Sequence, residues 1–353
     1  MASSSGTKII AIIGGTGAMG RPIIAALSQT NSYKLRVLTR DTQSEQAKTI
    51  SKTYPNVELI EGNYADDQCI RKLFTSIYGV FCNTDIWSCG GYQNEIDLGK
   101  MIFNIAKEMN VQHFIYSSLD HTQKLLANHG GYRCHHYDAK AIVAEYIESN
   151  DPKRQIPWTI ITTAPYFENF QSVFLPKKDP ADSDQLIFTF PMADKPIVLV
   201  ALDDIAWFVK YSFENPNKSI GKNYYIAGDN ITMDELVRTF SEITGIRAKY
   251  DDMPLEKYVE TMREKKHIDF DRKENFIGFF QQFLQEKVNR NFNALKTIHP
   301  DLLNWRQWLV KTGWKGERGT INTSSDTEFD GDSEFLIKIR KARSFRGEKP
   351  ILP

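Results

Sequence analysis

The run Gly14-Gly15-Thr16-Gly17-Ala18-Met19-Gly20 constrains this chain more than any other feature. Before it stands Lys8-Ile-Ile-Ala-Ile-Ile13, a short apolar stretch rich in β-branched residues, which reads as a buried parallel strand. After it, Pro22 to Gln29 reads as a helix, with Pro22 tolerated in the first turn. Glycines at 14, 17 and 20 suit three needs of such a junction. One permits a tight turn, one lets backbone approach a pyrophosphate, and one lets helix and strand pack closely. The helix start then offers N–H donors and a positive dipole end to phosphates. A glycine triplet between strand and helix therefore predicts a Rossmann-type dinucleotide site.

The rest of the first half keeps the same rhythm. Leu35–Leu38, Val57–Ile60, Val80–Asn83, His113–Ser117 and Trp158–Thr162 read as further strands, with helices near Glu45–Lys52, Gln93–Met109 and Tyr137–Glu148. Parallel strands need crossover helices, so this alternation predicts an α/β fold with a doubly wound parallel sheet. After Pro165 the rhythm changes. Residues 166–315 mix short strand-like pieces (Leu186–Phe190, Ile197–Val200, Asn223–Ile226) with helices (Asp204–Glu214, Met233–Thr244, Glu274–Val288, Leu302–Lys311). This predicts a smaller α/β region for substrate or partner, set over the sheet's carboxyl edge. The division is thus 1–165, 166–315 and a tail, 316–353. The tail is polar from Gly319 to Ser333 and basic from Lys338 to Arg346, a composition that predicts disorder. It reads as a solvated tail, or as a docking or phosphorylation segment with Ser344 behind Arg340 and Arg343.

Composition excludes several classes. Lys+Arg and Asp+Glu are 44 each, so the broad basic footprint of a direct nucleic-acid binder is missing. Ile9–Ile13 is too short for a signal peptide or a membrane span, which predicts a soluble, cytoplasmic protein. Cys69, Cys82, Cys89 and Cys134 form no CxxC pair and read as reduced thiols. His129, Cys134, His135 and His136 match no common zinc spacing, so no metal site is expected. Asp203 and Asp204 read as N-cap and first-turn charge. Trp305, Trp308 and Trp314 read as core or interface packing, with an exposed partner patch as the other option.

The second strand ends Leu38-Thr39-Arg40. A site for NAD usually places an acid there for the ribose 2′-hydroxyl. Arg40 instead suits a 2′-phosphate, which favours NADP(H) with NAD(H) second. Asp41 follows one position late and is expected to point elsewhere.

Gly14–Gly20, Tyr116-Ser-Ser-Leu119, His136-Tyr-Asp-Ala-Lys140 and Pro165-Tyr-Phe-Glu-Asn169 together give the chain, from Lys8 to Trp314, a resemblance to the NmrA-like family of atypical short-chain dehydrogenases/reductases. The resemblance implies further cofactor contacts. Asn63 and Tyr64 would lie at adenine, where the family commonly has Asp in place of Asn63. Thr84, Asp85 and Ile86 would run along the adenosine and ribose. Tyr166, Phe167, Glu168 and Asn169 would approach the nicotinamide. Relatives that bind NADP often carry a second basic residue where this chain has Ser44.

The superfamily's usual Tyr-x-x-x-Lys pairs a proton-donating tyrosine with a lysine that holds the ribose. Here His136 stands four before Lys140, and Tyr137 lies about 100° round the helix. The resemblance implies that Lys140 keeps its ribose role while the acid is lost. His136 is then a packed helix residue, a ribose-positioning group, or a general acid. The primary expectation is an NADP(H)-binding redox sensor that controls protein partners, transcription factors included, with little hydride turnover. The alternative is an NADPH-dependent reductase of small carbonyls, quinones or aromatics, in which Lys140 itself is catalytic. A third reading is a scaffold that has kept the fold without the cofactor. The sensor reading adds the nucleus as a second address and leaves room for a homodimer.

Overall fold

The computed structural model describes residues 7–153, 155–262 and 268–319. Its strands are β1 Lys8–Ile13, β2 Tyr33–Thr39, β3 Val57–Glu61, β4 Gly79–Cys82, β5 His113–Ser118, β6 Trp158–Thr162, β7 Lys177–Asp179, β8 Asp182–Phe190, β9 Ile197–Leu199, β10 Lys222–Tyr225, β11 Asp229–Ile231 and β12 Arg247–Asp252. Seven of them form one parallel sheet in the order β10-β6-β5-β4-β1-β2-β3. The doubly wound α/β expectation holds.

Alternation along the central strands explains why both faces of this sheet are covered. Ile10, Ile12, Val37, Phe81, Ile115 and Ile161 belong to one apolar cluster. Their neighbours Ala11, Ile13, Leu38, Val80, Phe114, Tyr116 and Ile160 belong to another on the opposite face. Side chains alternate sides along a strand, so a continuous apolar run serves two helix layers at once. Strand order reverses beside β1, between β2 and β4. Open sheets bind ligands outside the carboxyl ends of their strands at such a switch point.

The C-terminal region is knitted into this frame. β10 adds to β6 in parallel register, Lys222 opposite Thr159 and Tyr225 opposite Thr162. β12, β8 and β7 form a second, three-stranded sheet, and β11 pairs with β9. Phe170, Phe188, Trp305 and Trp308 share one continuous core cluster with Ile10 and Val37. A buried ion pair fastens the two halves: both terminal guanidinium nitrogens of Arg290 donate to Asp120 beyond β5, at 3.1 and 2.6 Å. The same group donates to the carbonyl of Thr163 at 3.2 Å.

Trp305, Trp308 and Trp314 are all buried, with Trp305 stacked on Trp308 at 5.2 Å. They are core, and the option of an exposed tryptophan patch is withdrawn. Asp203 and Asp204 both fall in the first turn of helix Leu202–Glu214, whose N-cap is Ala201. Asp204 is also more than helix charge: it is buried and accepts from His299 Nε2 at 3.0 Å and from the Leu303 N–H at 3.1 Å. The sequence reading passed over the short helix Asp67–Leu73, which Asp66 caps by accepting from the Gln68 and Cys69 N–H groups. The expected disorder of the tail, and Ser344, fall beyond Gly319 and outside the described residues. No described helix is long and apolar enough to cross a membrane.

Candidate functional site

A cleft of about 530 Å³ opens at the carboxyl ends of the central strands. Gly14, Thr16, Gly17, Ala18 and Met19 form its floor. Gly14 adopts φ +82, a left-handed conformation that favours glycine. The Gly17 N–H donates to the Gly14 carbonyl at 3.2 Å and closes the turn. Gly15 and Gly20 do not line the cleft but make it possible. A Cβ on Gly20 would stand 2.2 Å from the Gly14 oxygen, so helix Gly20–Ser28 meets the loop backbone to backbone. That helix starts at Met19 with no side-chain cap. In its first turn the Arg21 N–H donates to the Gly17 carbonyl at 3.3 Å and Pro22 carries no N–H, so the loop backbone at Ala18 and Met19, with the helix dipole behind it, is the fit for the pyrophosphate of a dinucleotide.

At one end the cleft meets the second strand. Arg40 is exposed and lines it, as do Ser44 and Tyr64. Asp41, expected to point elsewhere, also lines this end. Its carboxylate is engaged locally, accepting from the Gln43 N–H at 2.7 Å. Asn63 does not reach the cleft lining; its Oδ1 accepts from the Ala65 N–H at 2.9 Å and shapes the turn after β3. Thr84, Asp85 and Ile86 line the middle. Asp85 caps helix Ile86–Cys89 by accepting from the Trp87 N–H at 3.3 Å and bonds the Ser88 hydroxyl.

Lys140 also lines the middle, and its ammonium is already committed. It donates to the Thr84 carbonyl at 2.5 Å and to Asn83 Oδ1 at 3.1 Å, and it pairs with Glu95 Oε1 at 3.0 Å. Glu95 is fully buried on helix Tyr92–Glu108 and also accepts from the Thr84 hydroxyl at 2.7 Å. Burial pushes its carboxyl up, and Lys140 opposes that shift. The sequence reading placed neither Asn83 nor Glu95 at the site. A signal existed for the second: Glu95 shares its helix face with Gly99 and Ile102, both buried, at i+4 and i+7.

The far end is aromatic, lined by Trp87, His136, Tyr137, Tyr166, Phe174, Phe276 and Phe279. His136 sits against Cys134 Sγ, 3.2 Å from its Nδ1, and within hydrogen-bond distance of the Asn275 amide. Burial pulls its imidazole down to about 4, so it is neutral at physiological pH. A neutral imidazole with this pKa is a poor proton donor near pH 7, which weakens the general-acid option for His136. Of the segment expected at the nicotinamide, Tyr166 and Asn169 line the cleft. Phe167 and Glu168 turn the other way. Phe167 packs on Trp305 and Trp308, and Glu168 accepts from the Trp308 indole N–H at 2.9 Å. The one-turn helix Phe167–Gln171 puts successive side chains on different faces, which separates them. Trp87, Phe174, Phe276 and Phe279 were not anticipated. Two of them lie on helix Arg272–Leu284, more than a hundred residues from the glycine loop, and no local motif links the two segments.

The same architecture recurs in solved proteins. The negative transcriptional regulator NmrA in complex with NADP superposes with a TM-score of 0.68 at 19% identity, covering 86% of this chain and 94% of that one. An NADPH-dependent quinone oxidoreductase of Escherichia coli, complexed with NADPH, superposes at 0.65 with 15% identity, covering 86% and 100%. In sequence, an NmrA-like family domain-containing protein of Dictyostelium discoideum is 22% identical over 311 residues, 88% of this chain and 99% of its own length. An NmrA-like family domain-containing oxidoreductase of Aspergillus hancockii is 27% identical over 266 residues, 71% of this chain and 76% of its own. The model of the NmrA-like family matches residues 6–308, and the chain belongs to that family.

Proposed function

We propose that this protein binds a nicotinamide dinucleotide, NADP(H) before NAD(H), and uses its occupancy to control protein partners with little or no hydride turnover. The observation that carries the reading is the pairing at the cleft's centre and far end. Lys140 is present to hold a ribose, while the residue four before it is a neutral imidazole tied to Asn275 and Cys134. Lys140 makes no hydrogen bond to a tyrosine among those described; its partners are Asn83, Thr84 and Glu95. Arg40 at the adenosine end supports NADP(H). The bound dinucleotide would supply a hydride; the chain would supply phosphate donors at Ala18 and Met19, a ribose contact at Lys140 and an aromatic wall. A regulatory partner in cytoplasm or nucleus, transcription factors included, follows from the sensor reading, as does the option of a homodimer.

A second reading, an NADPH-dependent reductase, is favoured by that aromatic wall, which suits a flat organic substrate. Several relatives are named oxidoreductases. Calorimetry with NADPH and NADP, followed by steady-state NADPH oxidation over quinones, enals and aromatic ketones, tests both. The sensor reading expects binding with background turnover. Binding with turnover of order ~1 per second establishes the reductase. Absence of binding leaves the scaffold.

A further inference from the structure

Glu95 stands one layer behind the cleft. It does not line the space, yet it is fully buried and contacts two groups that do, Lys140 and Thr84. Its second oxygen, Oε2, has no hydrogen-bond partner among the described residues. A buried carboxylate half satisfied in this way is a poor source of stability, because desolvation offsets the attraction of the pair. What it does supply is a fixed counter-charge and a fixed direction for the ammonium.

We propose that Glu95 is the positioning residue for Lys140: it supplies the counter-charge that aims the ammonium along the cleft, so that Lys140 serves as a fixed cation for the ribose. This rests on the dinucleotide reading above. The Lys140 donors already meet Asn83 Oδ1, Thr84 and Glu95. The geometry makes a ribose hydroxyl a shared acceptor on a prearranged cation. The other titratable groups facing Glu95 are Asp85 from the cap of helix Ile86–Cys89, Cys89 within it, Cys82 from β4, Tyr116 from β5, and Tyr64. None of them is a base of opposite charge. Lys140 is the group that neutralises Glu95, and Glu95 is the only carboxylate in the structure that pairs with Lys140 among the described residues.

Removal of the charge alone is the test, since Glu95→Gln keeps the shape. A buried amine without its counter-charge surrenders its proton more readily. Wild-type NADPH affinity, read by calorimetry, is then level from about pH 7 to about 9, and that of Glu95→Gln weakens by about tenfold or more over the same range. A merely structural role for Glu95 would lower affinity or melting temperature without adding a pH slope. Parallel pH profiles for the two proteins overturn the proposal. If Glu95→Gln does not fold, Glu95→Gln combined with Lys140→Met decides. Recovery of the melting temperature shows that an unpaired ammonium was the defect, and no recovery overturns the pairing. Wild type that binds no dinucleotide at any pH rejects the dinucleotide reading instead, and the double variant still tests the pair.

Discussion

The carboxyl of Glu168 and the indole of Trp308 are joined by a 2.9 Å hydrogen bond, in which the buried Nε1–H donates to Oε1. The Leu202 N–H donates to the same carboxyl at 3.2 Å. One side chain thus ties the turn after β6, whose Tyr166 and Asn169 line the cleft, to two helices of the C-terminal region. Burial pushes this carboxyl up to about 7.

A stability slope follows from that shift. Between the ordinary carboxyl range and about pH 7, the folded chain holds a proton on Glu168 that the unfolded chain has released. Stability from this group is therefore full below the ordinary range and is lost as pH rises through about 7. The loss is on the order of 3 kcal/mol at most. Glu168→Gln removes the titration while keeping an acceptor for Trp308. Thermal melts from acid to mildly alkaline pH should show the wild type falling more steeply than the variant. Parallel curves would show that Glu168 titrates alike in the folded and the unfolded chain.

The glycine loop separates two kinds of damage. A Cβ on Gly20 meets the Gly14 oxygen at 2.2 Å and the Gly15 Cα at 2.4 Å, both backbone atoms that cannot turn aside. Gly20→Ala should therefore cost stability, by about 1–3 kcal/mol or more. A Cβ on Gly17 meets only the Gly14 oxygen, at 3.3 Å. Gly17→Glu should keep a near-wild-type melt yet lose dinucleotide binding, because its carboxylate occupies the phosphate floor. Retained calorimetric binding by Gly17→Glu would remove the pyrophosphate from this loop.

Much of this was readable beforehand, and the reason is local chemistry. The strand–glycine–helix junction, the two-faced apolar strands and the Lys140 helix each declare themselves within a few residues. What could not be read depends on distance in sequence. Glu95 pairs with Lys140 across 45 positions, and Phe276 and Phe279 reach the cleft from a helix that no motif connects to it. The family resemblance puts Phe167 and Glu168 at the nicotinamide together with Tyr166, yet a single tight turn sends them to the tryptophan core. Asp41 shows the same limit in reverse: strand alternation points it away, but the strand ends at Thr39 and the loop brings it back.

Cofactor choice is tested at Arg40. It is exposed at the end of the cleft that meets the second strand and has no second basic residue at Ser44, whose hydroxyl instead caps helix Glu45–Thr53. A charge-assisted hydrogen bond to a 2′-phosphate contributes about 1.5–3 kcal/mol. Arg40→Ala should weaken NADP about ten- to a hundredfold and hardly change NAD. Equal losses for both would mean that the guanidinium stacks on adenine without reading the phosphate.

His136 offers the sharpest separation of sensor from enzyme. Burial holds its imidazole at about 4, so an acid role for it predicts NADPH oxidation that climbs steadily as pH falls toward 4 and vanishes in His136→Gln. The sensor reading predicts background turnover at neutral pH, unchanged by that substitution. Installing a phenol with His136→Tyr should raise turnover only slightly. The ring sits among Trp87, Tyr137, Phe276 and Phe279, so a larger side chain crowds its neighbours. Substrate orientation also contributes as much to the barrier as proton transfer does. The control is Lys140→Ala, which should weaken binding through the lost ribose contact in either case. Turnover near ~1 per second in the wild type that disappears in Lys140→Ala, at NADPH concentrations that still saturate the variant, would overturn the sensor reading and make Lys140 the catalytic group of a reductase.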